Sequence, residues 1–298
     1  MKTISIDVGY SASKVNTSKN QGIFPTAVAY ATASGIEFGD DNVYEFNGEN
    51  FYVGTEASEG SFSLGDFDTL LKYAPLVIYH ILNKTGHLDA SVLSTGCALT
   101  DWSRKEELVE VLSDFTVNGQ NIKLNVIMTP QGAGVFYDAL LSKPEIKEGS
   151  CTIIDIGFNT INVLTLKDGQ PQRKSLKGYP GHGVISLIKP FATFLESKFS
   201  LPFSIQEALT IFRKGSFTYA GADVPEVAEQ ILTLKEQFKK QLFNSVLVNE
   251  KKSLATSDFV LLAGGGAYLF EDTTFPANVI KLNQPEFSNV RGYATRLK

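Results

Sequence analysis

A short acidic phrase occurs twice in the chain of 298 residues. Asp7-Val8-Gly9-Tyr10-Ser11 follows one apolar run, and Asp155-Ile156-Gly157-Phe158-Asn159 follows another. A carboxylate at the end of a buried strand is costly unless a cation pairs with it, as a metal–phosphate complex would. The glycine two residues later lets backbone N–H groups approach an anion closely. Two facing turns of this kind predict a site for the phosphates of a nucleotide and its Mg²⁺.

The two acids of these turns, Asp7 and Asp155, are the candidate metal ligands. Carboxylates and water suit Mg²⁺, which keeps most of its waters and binds phosphate oxygens. Lys14 lies across the predicted hairpin from Asp7 and can reach the β- or γ-phosphate, although a solvated surface lysine is equally compatible with the local sequence. Each acid alone could simply cap a local turn. The repetition with the same glycine and aromatic neighbours favours the nucleotide site.

A third glycine-rich phrase, Gly264-Gly265-Gly266, follows the apolar strand Phe259–Ala263 and is predicted to open a helix. The glycines would allow the backbone to approach an α-phosphate and adenosine, or would simply make a tight strand-to-helix turn. The phrase does not match the dinucleotide fingerprint GxGxxG. No GxxxxGK[ST] motif occurs either, which excludes the P-loop class.

Composition limits the classes of partner. The net charge of −5 argues against broad nucleic-acid binding, because no basic surplus is available to neutralise phosphates. Cys97 and Cys151 lie in apolar runs and are interpreted as buried free thiols of a reducing compartment. We find neither a signal segment nor an apolar stretch long enough to span a bilayer, and therefore expect a cytoplasmic protein without membrane contact.

The order of predicted elements restarts near residue 151. Strands and helices alternate through the first half, where Pro130 is expected at the first position of a helix Gln131–Leu141 with Thr129 as its N-cap. The second half begins again with a strand at 151–155 and its own acidic turn. This restart predicts two related α/β lobes.

The order of these phrases resembles that of the actin-like superfamily of ATPases. Residues 7–14 are similar to its first phosphate motif, 129–134 to its first connecting helix, 155–160 to its second phosphate motif and 262–267 to its adenosine motif. Within the superfamily, Phe24-Pro25-Thr26, residues 52–57 and residues 285–293 are similar to the ParM and Alp branch of bacterial and archaeal filament proteins.

The resemblance implies a bilobed actin-like fold of the ribonuclease-H type, with two α/β lobes around a nucleotide cleft. Lobe I would comprise residues 1–147 and 285–298, and lobe II residues 148–284. The implied cofactors are ATP or ADP and Mg²⁺, with Asp7 and Asp155 as metal ligands that also act in catalysis. The implied nucleotide contacts are Gly9, Tyr10, Ser11, Lys14, Gly157, Phe158, Asn159, Thr160, His182, Lys235, Lys239, Gly264, Gly265 and Gly266.

Several of these positions also have simpler interpretations. His182, between two glycines, could be a turn residue near the site, and Lys235 and Lys239 could belong to an exposed charged helix face. Gln131 occupies the position at which actin-like ATPases have the residue that orients the attacking water. An amide is not a base at neutral pH, so Gln131 would position water while Mg²⁺ and N–H groups stabilise the transferring phosphoryl group. Such weak positioning predicts slow hydrolysis.

Three functions remain open on the sequence. The first is a polymerising ATPase that assembles head to tail, disassembles after hydrolysis and segregates plasmids through a DNA-bound adaptor protein. The second is a small-molecule kinase on the same scaffold, for which Asp101 and Asp89 are the nearest candidate bases. The third is a nucleotide-dependent binding protein. We expect the first, with the chain itself as principal partner and no direct contact with nucleic acid or membrane.

Overall fold

The computed structural model describes residues 2–17, 19–31, 43–57, 64–172 and 175–297. The strands are β1 (Thr3–Asp7), β2 (Ala12–Asn16), β3 (Gln21–Pro25), β4 (Val28–Tyr30), β5 (Val43–Phe46), β6 (Glu49–Val53), β7 (Val92–Cys97), β8 (Asp114–Val117), β9 (Gln120–Lys123), β10 (Asn125–Pro130), β11 (Ser150–Ile156), β12 (Thr160–Lys167), β13 (Gln170–Pro171), β14 (Lys177–Pro180), β15 (Thr218–Tyr219), β16 (Ala222–Asp223), β17 (Phe259–Ala263) and β18 (Val279–Lys281).

The α-helices are α1 (Phe67–Thr85), α2 (Lys105–Ser113), α3 (Ala133–Ser142), α4 (Ile185–Phe199), α5 (Ile205–Lys214), α6 (Pro225–Gln241), α7 (Lys251–Thr256) and α8 (Ser288–Ala294). A π-helical segment, Leu242–Val246, and a 3₁₀ segment, Leu247–Glu250, join α6 to α7. None of the described helices is both long and apolar enough to cross a bilayer.

Two sheets of matching topology organise the molecule. The first has the order β10-β7-β1-β2-β3, in which β1 pairs antiparallel with β2 and parallel with β7. The second has the order β13-β12-β11-β17-β18, in which β11 pairs antiparallel with β12 and parallel with β17. The two central strands, β1 and β11, are the strands that carry Asp7 and Asp155 at their carboxyl ends. The predicted repetition of an α/β unit is therefore confirmed.

The second sheet is covered on both faces, and the alternation of side chains along β11 shows how. Ile154 and Ile156 pack into the core formed with α4 and α6, whereas Cys151 and Ile153 pack into the core formed with α3. Successive side chains of a strand point to opposite faces, so a strand covered on both sides exposes neither face to solvent. Cys97 and Cys151 are buried free thiols, as predicted.

Helices α3 and α8 cross with their backbones in direct contact. A Cβ atom on Gly292 would lie 1.8 Å from the Gly134 carbonyl oxygen, so neither position has room for a larger residue. α8 packs against β1 and β7 of the first sheet, and α3 contacts β11 and β17 of the second. The crossing is thus a joint between the two sheets. The lobe boundaries at 147/148 and 284/285 stay a prediction.

One helix boundary differs from expectation. Thr129 and Pro130 are not the cap and first residue of a helix, because both continue β10 by pairing with Gly96 and Cys97 of β7. The chain turns at Gly132, whose φ of +85° lies in the region that favours glycine, and α3 begins at Ala133. The glycine run does open a helix, as predicted, and this is the 3₁₀ helix Gly265–Phe270.

Candidate nucleotide-binding site

A cavity of about 550 Å³ lies where the carboxyl ends of β1 and β11 face each other. Ligand sites in α/β proteins commonly lie at the carboxyl ends of strands, because the loops that follow the strands converge there. The predicted residues that line it are Asp7, Gly9, Tyr10, Ser11, Lys14, Gln131, Asp155, Gly157, Phe158, Asn159, Thr160, Lys235, Gly264, Gly265 and Gly266.

The two acidic turns have the same local geometry. A Cβ atom on Gly9 would lie 2.7 Å from the Ala12 carbonyl oxygen, and one on Gly157 would lie 2.9 Å from that of Thr160. Each turn therefore closes so tightly onto the start of the next strand that only glycine fits. Ser11 Oγ, in the first turn, is buried and has no hydrogen-bond partner among the described residues.

Two buried acids and one buried lysine set the electrostatics of the cavity. Burial raises the pKa of Asp7, against the attraction of Lys14 and the hydrogen bond from Gln131. Burial also raises the pKa of Asp155, to about 6, and the charge of Asp7 adds to this against hydrogen bonds from Asn289 and Asn162. Burial lowers the pKa of Lys14, although both acids oppose the shift. Lys14 alone does not balance the two carboxylates beside it, so this part of the cavity favours a further positive charge.

Each acid is held by an amide. Gln131 Nε2 donates to Asp7 Oδ1 at 3.1 Å, and Asn289 Nδ2 donates to Asp155 Oδ2 at 2.9 Å. Asn289 Oδ1 also accepts from the Gly132 N–H at 2.8 Å, which ties α8 to the turn before α3. Both amides therefore come from the segments that cross between the sheets.

The three consecutive glycines have different surroundings. Gly264 has a φ of +79°, and a Cβ there would lie 2.4 Å from the Ile156 carbonyl oxygen. A Cβ on Gly266 would lie 2.2 Å from Ile156 Cγ2. A Cβ on Gly265 would meet no atom of the described residues within 4 Å, and this glycine opens onto the cavity. Packing thus requires the outer two glycines, whereas a side chain at the middle one would project into open space.

Two family models together match most of the chain. The family described as actin like proteins, N-terminal domain, matches residues 5–134. The family described as archaeal actin homologue MreB-like, C-terminal, matches residues 153–274. The chain is an actin-like protein of the ParM and Alp type. The resemblance inferred from the motif order is confirmed, as is the bilobed actin-like fold. No curated protein matches the chain.

Solved structures share the fold over the whole actin-like chain. The native crystal structure of an archaeal actin homologue is 22% identical with a TM-score of 0.80, and the alignment covers 100% of both chains. The complex of this homologue with ADP gives 23% identity, a TM-score of 0.79 and the same coverage. A 15-stranded ParM filament from Clostridium botulinum gives 20% identity and a TM-score of 0.78, with 99% of each chain covered.

Two predicted nucleotide contacts of this actin-like protein lie outside the residues that line the cavity. His182 sits in the turn between β14 and α4, where its Nδ1 lies 3.0 Å from the Pro180 carbonyl oxygen. Lys239 lies one turn beyond Lys235 along α6, and its Nζ donates to Glu236 Oε1 at 2.7 Å. For these two residues the simpler interpretations, a turn residue and a charged helix face, agree with the structure.

Sequence reasoning missed five polar residues that line the cavity: Arg213, Tyr268, Glu271, Glu286 and Asn289. Arg213 is at the end of α5, and the Tyr268 hydroxyl donates to Glu286 Oε2 at 2.7 Å. Glu286 and Asn289 belong to the C-terminal phrase that carries the ParM and Alp resemblance, which was the available signal for them. Nothing in the sequence around Arg213 marks it as a site residue.

The two candidate kinase bases do not line the cavity. Asp89 forms an ion pair with Lys2 on the protein surface. Asp101 Oδ2 accepts a hydrogen bond from the Tyr10 hydroxyl at 3.1 Å. This bond fixes the tyrosine of the first turn, so the position of Asp101 is accounted for by structure rather than by proton transfer to a substrate.

Proposed function

We propose that this actin-like chain binds ATP with Mg²⁺ in the cavity, hydrolyses it slowly, and assembles head to tail into filaments that disassemble after hydrolysis. The observation that carries the proposal is the pair of matching glycine turns, each with a buried acid, on either side of one cavity. The similar archaeal homologue has been solved with ADP, and a similar ParM as a filament.

The donor set fits a magnesium nucleotide. Asp7 and Asp155 would hold the ion through its water shell, and no cluster of three or more acidic, histidine or cysteine side chains in the described ranges offers a complete protein cage. An ion that relies on phosphate oxygens for its remaining ligands suits such a site. When bound, Mg²⁺ would neutralise charge on the β- and γ-phosphates. Ser11 Oγ and the backbone of both turns would hold the phosphate oxygens.

Gln131 would orient the attacking water. Its Nε2 is engaged by Asp7, which leaves Oε1 to accept a hydrogen bond from a water molecule facing the γ-phosphate. Because an amide cannot take the proton, this group only positions the nucleophile, and slow hydrolysis follows. A slow step suits a protein in which hydrolysis times disassembly.

The adenosine end of the nucleotide would lie near the glycine run. Gly265 leaves room for the base or ribose, and Lys235 of α6 and Arg213 of α5 line the same cavity. Both helices belong to the part of the chain that contains the second sheet, β11 to β18, which we call the second unit. Lys235 is also held near the Phe212 ring, 5.8 Å from its centroid. These two basic residues replace the pair Lys235 and Lys239 expected from the sequence.

Nucleotide state would reach the filament through the joint between the sheets. The amides of Gln131 and Asn289 connect the two acids to the segments that contain the crossing of α3 and α8. Closure of the cleft around ATP would favour one angle between the sheets. Subunits with non-closing, head-to-tail contacts form open filaments. We place this activity in the cytoplasm, in plasmid segregation with a DNA-bound adaptor.

Sedimentation and light scattering test the proposal. The purified chain with ATP and Mg²⁺ should pellet at high speed and scatter light, whereas Asp155→Ala should do neither. Asp89→Ala, which removes an exposed acid from the surface, is the matched control and should assemble normally. A chain that stays monomeric across salt and crowding conditions would remove the filament proposal, and sugar-dependent consumption of ATP would establish the kinase instead.

A further inference from the structure

An aromatic cluster lies at one end of the second unit, beside the β15–β16 hairpin. The Phe199 ring centroid lies 4.8 Å from that of Tyr219 and 5.0 Å from that of Phe217, which contacts Phe203. Tyr219 and the neighbouring Leu201 remain 44% and 45% exposed. We call these five residues the aromatic tip. Large apolar side chains grouped on a surface mark contact sites more often than isolated ones do.

A second cavity, of about 500 Å³, lies at the other end of this unit. Ile154, Val260 and Leu262 of the sheet form its floor, and the segment 242–251 forms one wall. Phe243 and Val248, on this wall, are 49% and 55% exposed. We call this feature the apolar cavity. Nothing in the nucleotide chemistry uses it, because none of its lining residues lines the nucleotide cavity.

Helix α6 connects the two features. At its start, the Val224 N–H donates to the Phe217 carbonyl oxygen at 2.9 Å, next to Pro225. At its end, Gln241 leads directly into Leu242 of the apolar cavity. A helix of 17 residues is about 25 Å long at a rise of about 1.5 Å per residue. The tip and the cavity therefore lie too far apart to meet within one copy of the chain.

The charges beside the two features are opposite. Lys251 lines the apolar cavity and is exposed, as is Lys252 next to it in the chain. Asp223, Glu226 and Glu229 are exposed beside the aromatic tip, where Glu226 pairs with Lys198 at 3.2 Å. Complementary charge around an apolar contact orients two partners as they meet. A tip brought to a cavity would match acidic with basic side chains.

We propose that the aromatic tip of one copy docks into the apolar cavity of the next copy, with Tyr219 and Leu201 entering between Phe243 and Val248. The proposal rests on the filament function proposed above and names the contact that builds the filament. Since the donor and acceptor surfaces occupy opposite ends of α6, each docking leaves a free tip and a free cavity. Repetition therefore extends an open chain rather than closing a pair.

Two single variants test the contact. Tyr219→Asp disrupts the aromatic tip and leaves the apolar cavity intact. Val248→Asp disrupts the wall of the cavity and leaves the tip intact. Each alone should raise the critical concentration for ATP-dependent assembly at least tenfold. An equimolar mixture should form heterodimers in analytical ultracentrifugation and stop there, because only one competent tip and one competent cavity remain. Leu232→Asp, at a leucine that is 64% exposed in the middle of α6, is the control and should assemble normally.

Thermal melting and ATP affinity should be unchanged in all three variants. Leu201→Asp and Phe243→Asp provide a second pair if either first variant is misfolded. Assembly of both single variants at the wild-type critical concentration, or a mixture without heterodimers, would overturn the contact while leaving ATP-driven assembly intact. Tight binding of a fluorescent fatty acid in the cavity, with normal assembly of Val248→Asp, would also overturn it. Failure of the unmodified chain to assemble would overturn both proposals.

Discussion

Asn289 donates to Asp155 at 2.9 Å, so a residue of the last α-helix holds the acid near the end of the central strand of the second sheet. The same amide group accepts from the Gly132 N–H, immediately before α3. Gln131 makes the equivalent contact to Asp7 from the other side of the joint. The two acids are therefore positioned by the segments that connect the sheets, and a change in sheet angle changes their surroundings.

Asn289→Ala should destabilise the nucleotide-free protein by about 2 kcal/mol, because it removes one of the hydrogen bonds to the buried Asp155 carboxylate and the side-chain acceptor of the buried Gly132 N–H. Chemical denaturation measures this. Asn121→Ala is the matched control, since Asn121 also donates to a carboxylate, that of Asp114 at 2.7 Å, but on the surface. Its cost should stay below about 0.5 kcal/mol. Equal costs for the two variants would show that the Asn289 contact contributes nothing beyond an exposed hydrogen bond.

Gly265→Ala should leave the melting temperature of the nucleotide-free protein nearly unchanged, because its added methyl group meets no atom of the described residues. It should weaken ATP binding about tenfold, or roughly 1.4 kcal/mol, by filling space that the nucleotide needs. Gly264→Ala should instead lower the melting temperature, since its φ is +79° and its Cβ would contact the Ile156 carbonyl. Titration with a fluorescent ATP analogue separates the two effects. Full affinity in Gly265→Ala would place the nucleotide elsewhere.

Gln131→Ala should slow phosphate release by about a hundredfold, the loss typical of one positioned polar group. ATP affinity should change much less, because the side chain donates to Asp7 and, in the proposed role, faces the attacking water rather than the nucleotide. Assembled protein should then persist for longer. Gln172→Ala, an exposed amide away from the cavity, serves as control. A parallel loss of affinity and turnover would show that Gln131 binds nucleotide instead of orienting water.

His80 should make stability depend on pH. It is buried with 3% of its surface exposed, and its Nδ1 shares a hydrogen bond of 2.9 Å with the Tyr44 hydroxyl. Burial, reinforced by Lys84 and opposed by Glu56, lowers the pKa of His80 to about 4. Between that value and the unfolded value of about 6.5, the unfolded state binds the extra proton. The contribution of His80 to the free energy of unfolding is therefore fully present above pH 6.5 and is lost as pH falls towards 4.

The difference in unfolding free energy between the wild type and His80→Gln measures this effect. It should fall by up to about 1.4 kcal/mol per pH unit from about pH 6.5 towards 4. Taking the difference between the two proteins cancels the titration of Asp155 and other groups common to both. A flat difference for His80→Gln would mean that the histidine is protonated inside the fold.

Much of the site could be predicted because its parts are local. A glycine turn after an apolar strand takes its shape from a few neighbouring residues, and Gly9 and Gly157 indeed close in the same way. Local signals failed where pairing across the sheet competed with them. Thr129 and Pro130 carry helix-start signals, yet the ladder between β10 and β7 extends through both. His182 contacts Pro180 and Lys239 contacts Glu236, and both contacts are local too. The resemblance to actin-like ATPases nevertheless led to the prediction that both residues contact the nucleotide.

The sequence by itself determined the two acidic turns, their order and the repeated α/β unit, because strand, turn and hydrophobic alternation depend on residues close together in the chain. Only the tertiary structure decided that Asn289 holds Asp155, that Arg213 lines the nucleotide cavity, and that an aromatic tip and an apolar cavity occupy opposite ends of α6. These residues lie far apart in the chain, and their meeting depends on how helices pack on the two sheets. No pattern within one segment records that packing.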